Sequence, residues 1–290
     1  MAESLETLQK HISSVEELHS IVRTMKTLSA VAIRQYEKAL ESLDEYQRTV
    51  MHGLEVVLRE QPSEPVPERR DQGLGIVVFG SDTGLCGRFN EDIARFALDK
   101  LAESDGALRV IALGERVCPI LEGAGRPTEA CLTAPGTVAA ITPVVQDVLV
   151  RLQRWHASGI DRLALLFNRQ LRGEVYRPHY EPILPVDLAK LPHYHRREWP
   201  SRCLPGYTME RGKLFAALLR QHLFASIFRA CAQSLASENA SRLRAMQAAE
   251  RNIEERLHEL LGEYRTERQN AITEELLDVV SGFEVLRERS

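Results

Sequence analysis

Proline is absent from residues 3–60 and again from 207–290, and all 13 prolines of the chain fall between those two stretches. Proline removes a backbone donor and clashes with the preceding turn, so long proline-free arms are where uninterrupted helices can run. In the first arm a spacing of three and four leads from Val22 through Met25, Ser29, Ala32, Tyr36, Ala39, Leu43, Tyr46, Val50 and Gly53 to Val57. That is an a/d heptad with a narrow seam, partly of small residues. Upstream, Leu5, Leu8, Ile12 and Val15 keep the spacing but slip by one position before Leu18, which predicts a local change of supercoil. The second arm is expected to become helical from Thr208, with Glu210 in its first turn, where the helix dipole favours an acid. Ile253, Leu257, Leu260 and Tyr264 hold one seam; Ile272, Leu276, Val279, Phe283 and Leu286 hold another, shifted by one residue. At 1.5 Å per residue the arms would be roughly 85 Å and 115 Å long. They should pair as an antiparallel coiled coil. The excess C-terminal length, with Ile272, Leu276, Val279, Val280 and Phe283, would be an adhesive patch unless partners sheathe it.

Between the arms the pattern changes. PSEPVPERRDQG (62–73) is a proline-rich charged linker. LGIVVF (74–79), LRVIALG (108–114) and DRLALLFN (161–168) read as short β-branched strands, with helix-like stretches near 89–104, 115–123 and 137–157. One extended edge strand is expected around 174–184, followed by a proline-broken loop. Alternation of strands and helices predicts a small parallel sheet covered on both faces. The fold class expected is therefore α+β overall: a long antiparallel coiled coil of the terminal helices plus a small Rossmann-like α/β domain. The division expected is 1–61 helix, 62–73 linker, 74–206 α/β domain and 207–290 helix.

Composition narrows the function. Lys and Arg total 37 against 41 Asp and Glu, a net charge of −4, which gives no electrostatic case for nucleic acid or a bare anionic membrane. Five scattered cysteines without a CxxC pair predict free thiols in a reducing compartment. The polar N-terminus lacks a signal-peptide core, and no stretch approaches the ~18 apolar residues of a membrane span. GSDTGLCG (80–87) follows a strand, but Arg88-Phe89 stand where a Walker motif needs Lys-Ser/Thr. A structural tight turn is the stronger reading, with Cys86 a small packed residue. His179, His193 and His195 with Arg196 and Arg197 lack cysteine or carboxylate at ligand spacing and read as a solvated loop. No catalytic constellation, cofactor site or metal site is expected.

Four segments carry a resemblance. AITEELLDVVSGFEVL (271–286) is similar to the C-terminal signature of the gamma subunit of F-type ATP synthases, with Ile272, Thr273, Glu275, Asp278 and Gly282 at matching positions and Phe283 where the family usually has Ala. SENASRLRAMQAAERN (237–252) resembles the run before it, with Leu243 for a Met. IVRTMKTLSAVAIR (21–34) aligns with the N-terminal run through Arg23, Met25, Ala30 and Arg34, while Ala32 replaces a Lys. SDTGLCGRFN (81–90) resembles the family's D-R-G-L-C-G-G-L-N, departing at Thr83 and Arg88. The matches occur in order over nearly the whole chain and mark a divergent member.

The resemblance implies a non-catalytic central-stalk rotor, one copy per complex, peripheral on the cytoplasmic face of the cell membrane. Its implied partners are three alpha and three beta subunits, an epsilon subunit and the membrane c-ring. Arg23, Met25, Lys26 and Arg34 on the first arm, and Arg268, Gln269, Thr273, Glu275 and Asp278 on the second, fall at positions implied to touch the alpha and beta subunits. Tyr207 is placed on the foot, towards the membrane ring. The residues alone leave two alternatives open, a nucleotide-binding α/β enzyme with helical dimerisation arms and a plain coiled-coil scaffold.

Overall fold

The computed structural model describes residues 2–59, 73–104, 106–126, 128–171, 174–185 and 206–288. The linker before Gly73, the loop with His193, His195, Arg196 and Arg197, and the side chains of Gly282, Phe283 and Leu286 lie outside the described residues. The elements are α1 (Ala2–Arg59), β1 (Leu74–Phe79), α2 (Phe89–Ala102), β2 (Leu108–Leu113), α3 (Cys118–Gly123), β3 (Ala130–Leu132), α4 (Val138–Ala157), β4 (Arg162–Leu171), β5 (Glu174–Leu184) and α5 (Arg211–Glu288). They divide into two units, Met1–Ser29 with Leu243–Ser290, and Ala30–Arg242.

The first unit is a two-helix seam. On α1 the shielded positions are Leu5, Leu8, Ile12, Val15, His19, Val22, Lys26 and Ser29; on α5 they include Met246, Glu250, Ile253, Leu257, Leu260, Tyr264, Glu267 and Ala271. Both sets alternate three and four without a break. The slip expected before Leu18 does not occur. Leu18 is 53% exposed, and the seam position beside it belongs to His19. A seam sought among apolar residues misses the places where a polar side chain fills the heptad. Lys26 pairs with Glu250 and His19 lies against Glu254, so numbers fall on one helix as they rise on the other, the mark of an antiparallel pair.

In the second unit α1 continues the same alternation through Ile33, Tyr36, Leu40, Leu43, Gln47, Val50, Leu54 and Val57. Ala32, Ala39 and Gly53 of the expected seam are half-buried beside these positions, whereas Tyr46 is 40% exposed and Gln47 takes its place. Arg229 on α5 donates from Nε to Gln47 Oε1 at 2.9 Å and pairs with Asp44. Gly53 lies close against Leu218: a Cβ there would stand 2.9 Å from Leu218 Cδ2, a side-chain tip that would have to turn aside.

The same unit holds a five-stranded sheet in the order β3-β2-β1-β4-β5, parallel except for β5, which runs antiparallel to β4. Period-two alternation sends Val77, Phe79, Ile111, Leu113, Leu163, Leu165 and Phe167 to one face, against α4, Tyr36 of α1 and the α5 residues Ile227–Ala236. Ile76, Val78, Val110, Ala112, Ala164 and Leu166 face the other way, onto α2 and α3. The sheet is thus covered on both faces, as its near-continuous apolar strands demand. The expected strands and helices all form, and β5 spans the expected edge segment. The three-residue β3 was not foreseen, since ACL between polar neighbours is too short to show a period. The second long helix begins at Arg211, three residues after Thr208.

One expectation about cysteine is corrected. Cys118, at the start of α3, and Cys131, on β3, form a disulfide with Cα atoms 6.2 Å apart, whereas Cys86 and Cys231 are free and buried. Their separation of 13 residues matches no short motif, and the parallel pairing of β2 with β3 is what brings them together.

Phe167 is fully buried and packs edge-on against Phe79, with ring centroids 6.3 Å apart. Phe167→Ala is expected to lower stability by about 3–5 kcal/mol. Leu276→Ala, on an exposed stretch, should change it by less than about 0.5 kcal/mol. Urea unfolding of both variants checks the pair.

Candidate functional site

Two arrangements bring chemistry-bearing residues together. The first joins the turn after β1 to α5 within the second unit. Ser81 donates its backbone N–H to Asn90 Oδ1 at 2.9 Å, and Asn90 Nδ2 returns a bond to Ser81 Oγ at 2.9 Å. The Asp82 carboxylate accepts the backbone N–H groups of Glu115 and Ala134, both at 2.9 Å, tying the turn to the strand ends beside it. Leu85 and Gly87 adopt positive φ, 63° and 61°, which turns the backbone sharply. The turn then presents carbonyl oxygens to α5. Ser241 Oγ donates to Cys86 O at 2.6 Å, Arg242 Nε to Gly84 O at 3.3 Å, and Arg242 Nη2 to Thr83 Oγ1 at 2.7 Å. Arg242 also pairs with Glu238 one turn earlier, and both side chains are buried. Burial pushes the Glu238 carboxyl up, and the Arg242 guanidinium pulls it back. The turn therefore fastens the sheet to the helix. Cys86 is buried within it, its thiol pushed up chiefly by burial. Of the histidines read as a loop, His179 lies on β5 against Phe167, and burial lowers its pKa.

The second arrangement is the far end of α5 in the first unit. The pairing of Lys26 with Glu250 and of His19 with Glu254 places the start of α1 opposite residues near 271 of α5. Residues 272–280 are accordingly all exposed, among them Ile272, Leu276, Leu277, Val279 and Val280. Covering each of these half-exposed side chains would stabilise an assembly by about 1 kcal/mol. Arg268, Gln269, Thr273, Glu275 and Asp278 are exposed on the same stretch, with Thr273 Oγ1 bonded back to Gln269 O at 2.9 Å. Arg23 and Arg34 are exposed on α1 and Met25 is half-buried. Lys26 is engaged within the chain, its Nζ 2.8 Å from Glu250 Oε1. Tyr207 is half-buried just before α5. The structure thus brings the expected contact residues of α5 together on one exposed segment. Reading from sequence missed Ser241, Asp82 and Asn90, whose signal was their place in the two matching runs at 81–90 and 237–252.

A sequence profile of the family described as "ATP synthase" matches residues 4–286. The chain belongs to the ATP synthase gamma-chain family. It is 30% identical over 292 residues to the ATP synthase gamma chain of Phocaeicola vulgatus, covering 96% of this chain and 98% of that one. It is 28% identical over 302 residues to that of Geobacter metallireducens, covering 98% and 99%. Among solved structures, its fold is similar to a chain of the Euglena gracilis mitochondrial ATP synthase rotor, with a TM-score of 0.63 at 14% identity, covering 94% of this chain and 100% of that one. It is also similar to one from the central stalk/c-ring of the Tetrahymena thermophila mitochondrial ATP synthase, with a TM-score of 0.55 at 21% identity, covering 79% and 99%. Among the described residues no helix is long and apolar enough to cross a membrane.

Arg242→Met leaves a buried carboxyl without its partner and is expected to cost about 3–5 kcal/mol at neutral pH. A carboxyl whose folded pKa lies above its unfolded one contributes stability that is present at low pH and lost as pH rises through the folded value. With Arg242 gone, Glu238 is pushed further up, so the loss should grow from the ordinary value of 4.5 upwards. Urea unfolding at pH 5 and pH 8 measures it: the deficit relative to the parent chain should be smaller at pH 5.

Proposed function

We propose that the chain is the central-stalk rotor of an F-type ATP synthase, coupling ion flow across a membrane to ATP synthesis or hydrolysis. The observation that carries this reading is the exposed end of α5. It outruns α1, is apolar at Ile272, Leu276, Leu277, Val279 and Val280, and bears the residues of the family signature. Such a segment needs a sheath, and three alpha and three beta subunits around it would supply one. Nondirectional apolar contacts suit a bearing, because they slide more easily than hydrogen bonds would.

On this reading the chain has no active site of its own. It acts by touching each catalytic site differently, so that turning shifts their states in sequence. Gln269, Thr273, Glu275, Asp278 and Arg268 contact the alpha and beta subunits from α5, and Arg23, Met25 and Arg34 from α1. Lys26, counted with them, already pairs with Glu250 within the chain. The 74–206 segment and Tyr207 form the foot, against an epsilon subunit and the c-ring, with one copy of the chain per complex on the cytoplasmic face of the membrane. The helices α1 and α5 form the shaft.

Reconstitution with candidate alpha and beta subunits tests the proposal. ATPase activity should rise clearly above that of the alpha–beta mixture alone, and no rise would refute it. Replacing Gln269 and Glu275 together with Ala should lower the stimulated rate about tenfold, within the usual range of coupling energies, while leaving the circular dichroism and unfolding midpoint of the free chain unchanged.

A further inference from the structure

We propose that His19, Glu250 and Glu254 form a site for one divalent transition-metal ion of the zinc type, joining α1 to α5 in the two-helix unit. The three ligand atoms, one imidazole nitrogen and two carboxylate oxygens, lie within 4.8 Å of one another. Glu250 and Glu254 stand one turn apart on the same side of α5, and His19 occupies a seam position on the facing helix. This places a ligand from α1 opposite two from α5.

The surroundings of His19 suit a metal ligand. Its Nε2 is shielded from solvent and makes no hydrogen bond. It lies 3.7 Å from Glu254 Oε1, beyond hydrogen-bond reach, although both side chains are long enough to close the gap. Two ligands bound to zinc at about 2.0–2.1 Å in tetrahedral geometry are themselves about 3.4 Å apart. The observed separation is therefore nearer that of two ligands sharing a metal than of a donor and its acceptor. Register alone could be fixed by one polar pair, and Lys26 with Glu250 already supplies it. An imidazole with two carboxylates suits zinc, nickel or cobalt, and the exposure of Glu254 leaves the fourth position to water. Lys26 competes for Glu250, since its Nζ reaches both oxygens, so the affinity should be moderate.

The sequence conceals such a site because its ligands come from opposite ends of the chain. Bound metal would cross-link the two helices through His19, seven residues before Lys26 on α1, and stiffen the seam where its polar members weaken it.

The test is calorimetric titration of the chelator-treated full chain with Zn²⁺ alone, with the visible absorption of Co²⁺ as a reporter of the ligand set. One equivalent should bind with micromolar affinity and raise the unfolding midpoint. His19→Asn and Glu254→Gln should each weaken binding at least tenfold, and each should abolish the tetrahedral Co²⁺ bands. Glu254 is exposed, so its variant keeps the fold even if a change at His19 loosens the seam. Unchanged affinity in Glu254→Gln, or no Zn²⁺ binding below millimolar concentration, would overturn the proposal.

Discussion

The α/β unit depends on a stretch of α5 that is shielded on almost every side. Between Ala225 and Glu238 most residues are buried, and they are chiefly Ala, Ser and Cys. Small side chains are what allow a helix to be approached at once by a sheet, by α4 and by a second helix. Ile227 and Leu235 enter the core on the sheet face, while Tyr36 of α1 is buried in the same cluster. Tyr36 has its hydroxyl pushed up to about 12 by burial, with Glu238 adding to the effect. Larger residues along this stretch would force the sheet and α1 apart, so the packing of the whole unit follows from its composition.

Burying a helix on all sides creates a polar problem at its exit, where Glu238 and Arg242 lie among buried neighbours. The chain answers it by pairing the two and bringing the turn after β1 over them, so that Thr83, Gly84 and Cys86 accept what Ser241 and Arg242 donate. One glycine-rich turn thereby satisfies buried donors and holds the sheet on the helix. The two-helix unit solves the opposite problem. Its narrow seam buries little, so polar residues such as Lys26 and His19 are tolerated there, and past Ala271 the apolar face of α5 has no cover from α1.

Much of this was legible in the sequence. Proline-free arms gave both helices to within a few residues, β-branched runs gave three of the strands and an extended edge segment a fourth, because these signals are local. The resemblance of 81–90 and 237–252 marked the clamp between turn and helix without saying that the two segments touch. The rest depended on tertiary neighbours. Tyr46 falls on the apolar spacing although Gln47 holds the seam position, and the apolar residues alone show a slip at Leu18 because the polar His19 fills the seam there. Cys118 and Cys131 could not be paired before β3 was known to lie beside β2. The excess of α5 over α1 was visible by counting, and Ile272, Leu276, Val279 and Val280 within it are exposed as that count implied.

Observation of single complexes tests the rotor account most directly. The chain would be assembled with surface-fixed alpha and beta subunits and a bead attached near Tyr207, then supplied with ATP. The account predicts rotation of the bead in one direction, in steps of one third of a turn set by the three catalytic sites. Sustained ATP hydrolysis in the same complexes with the bead stationary would contradict it.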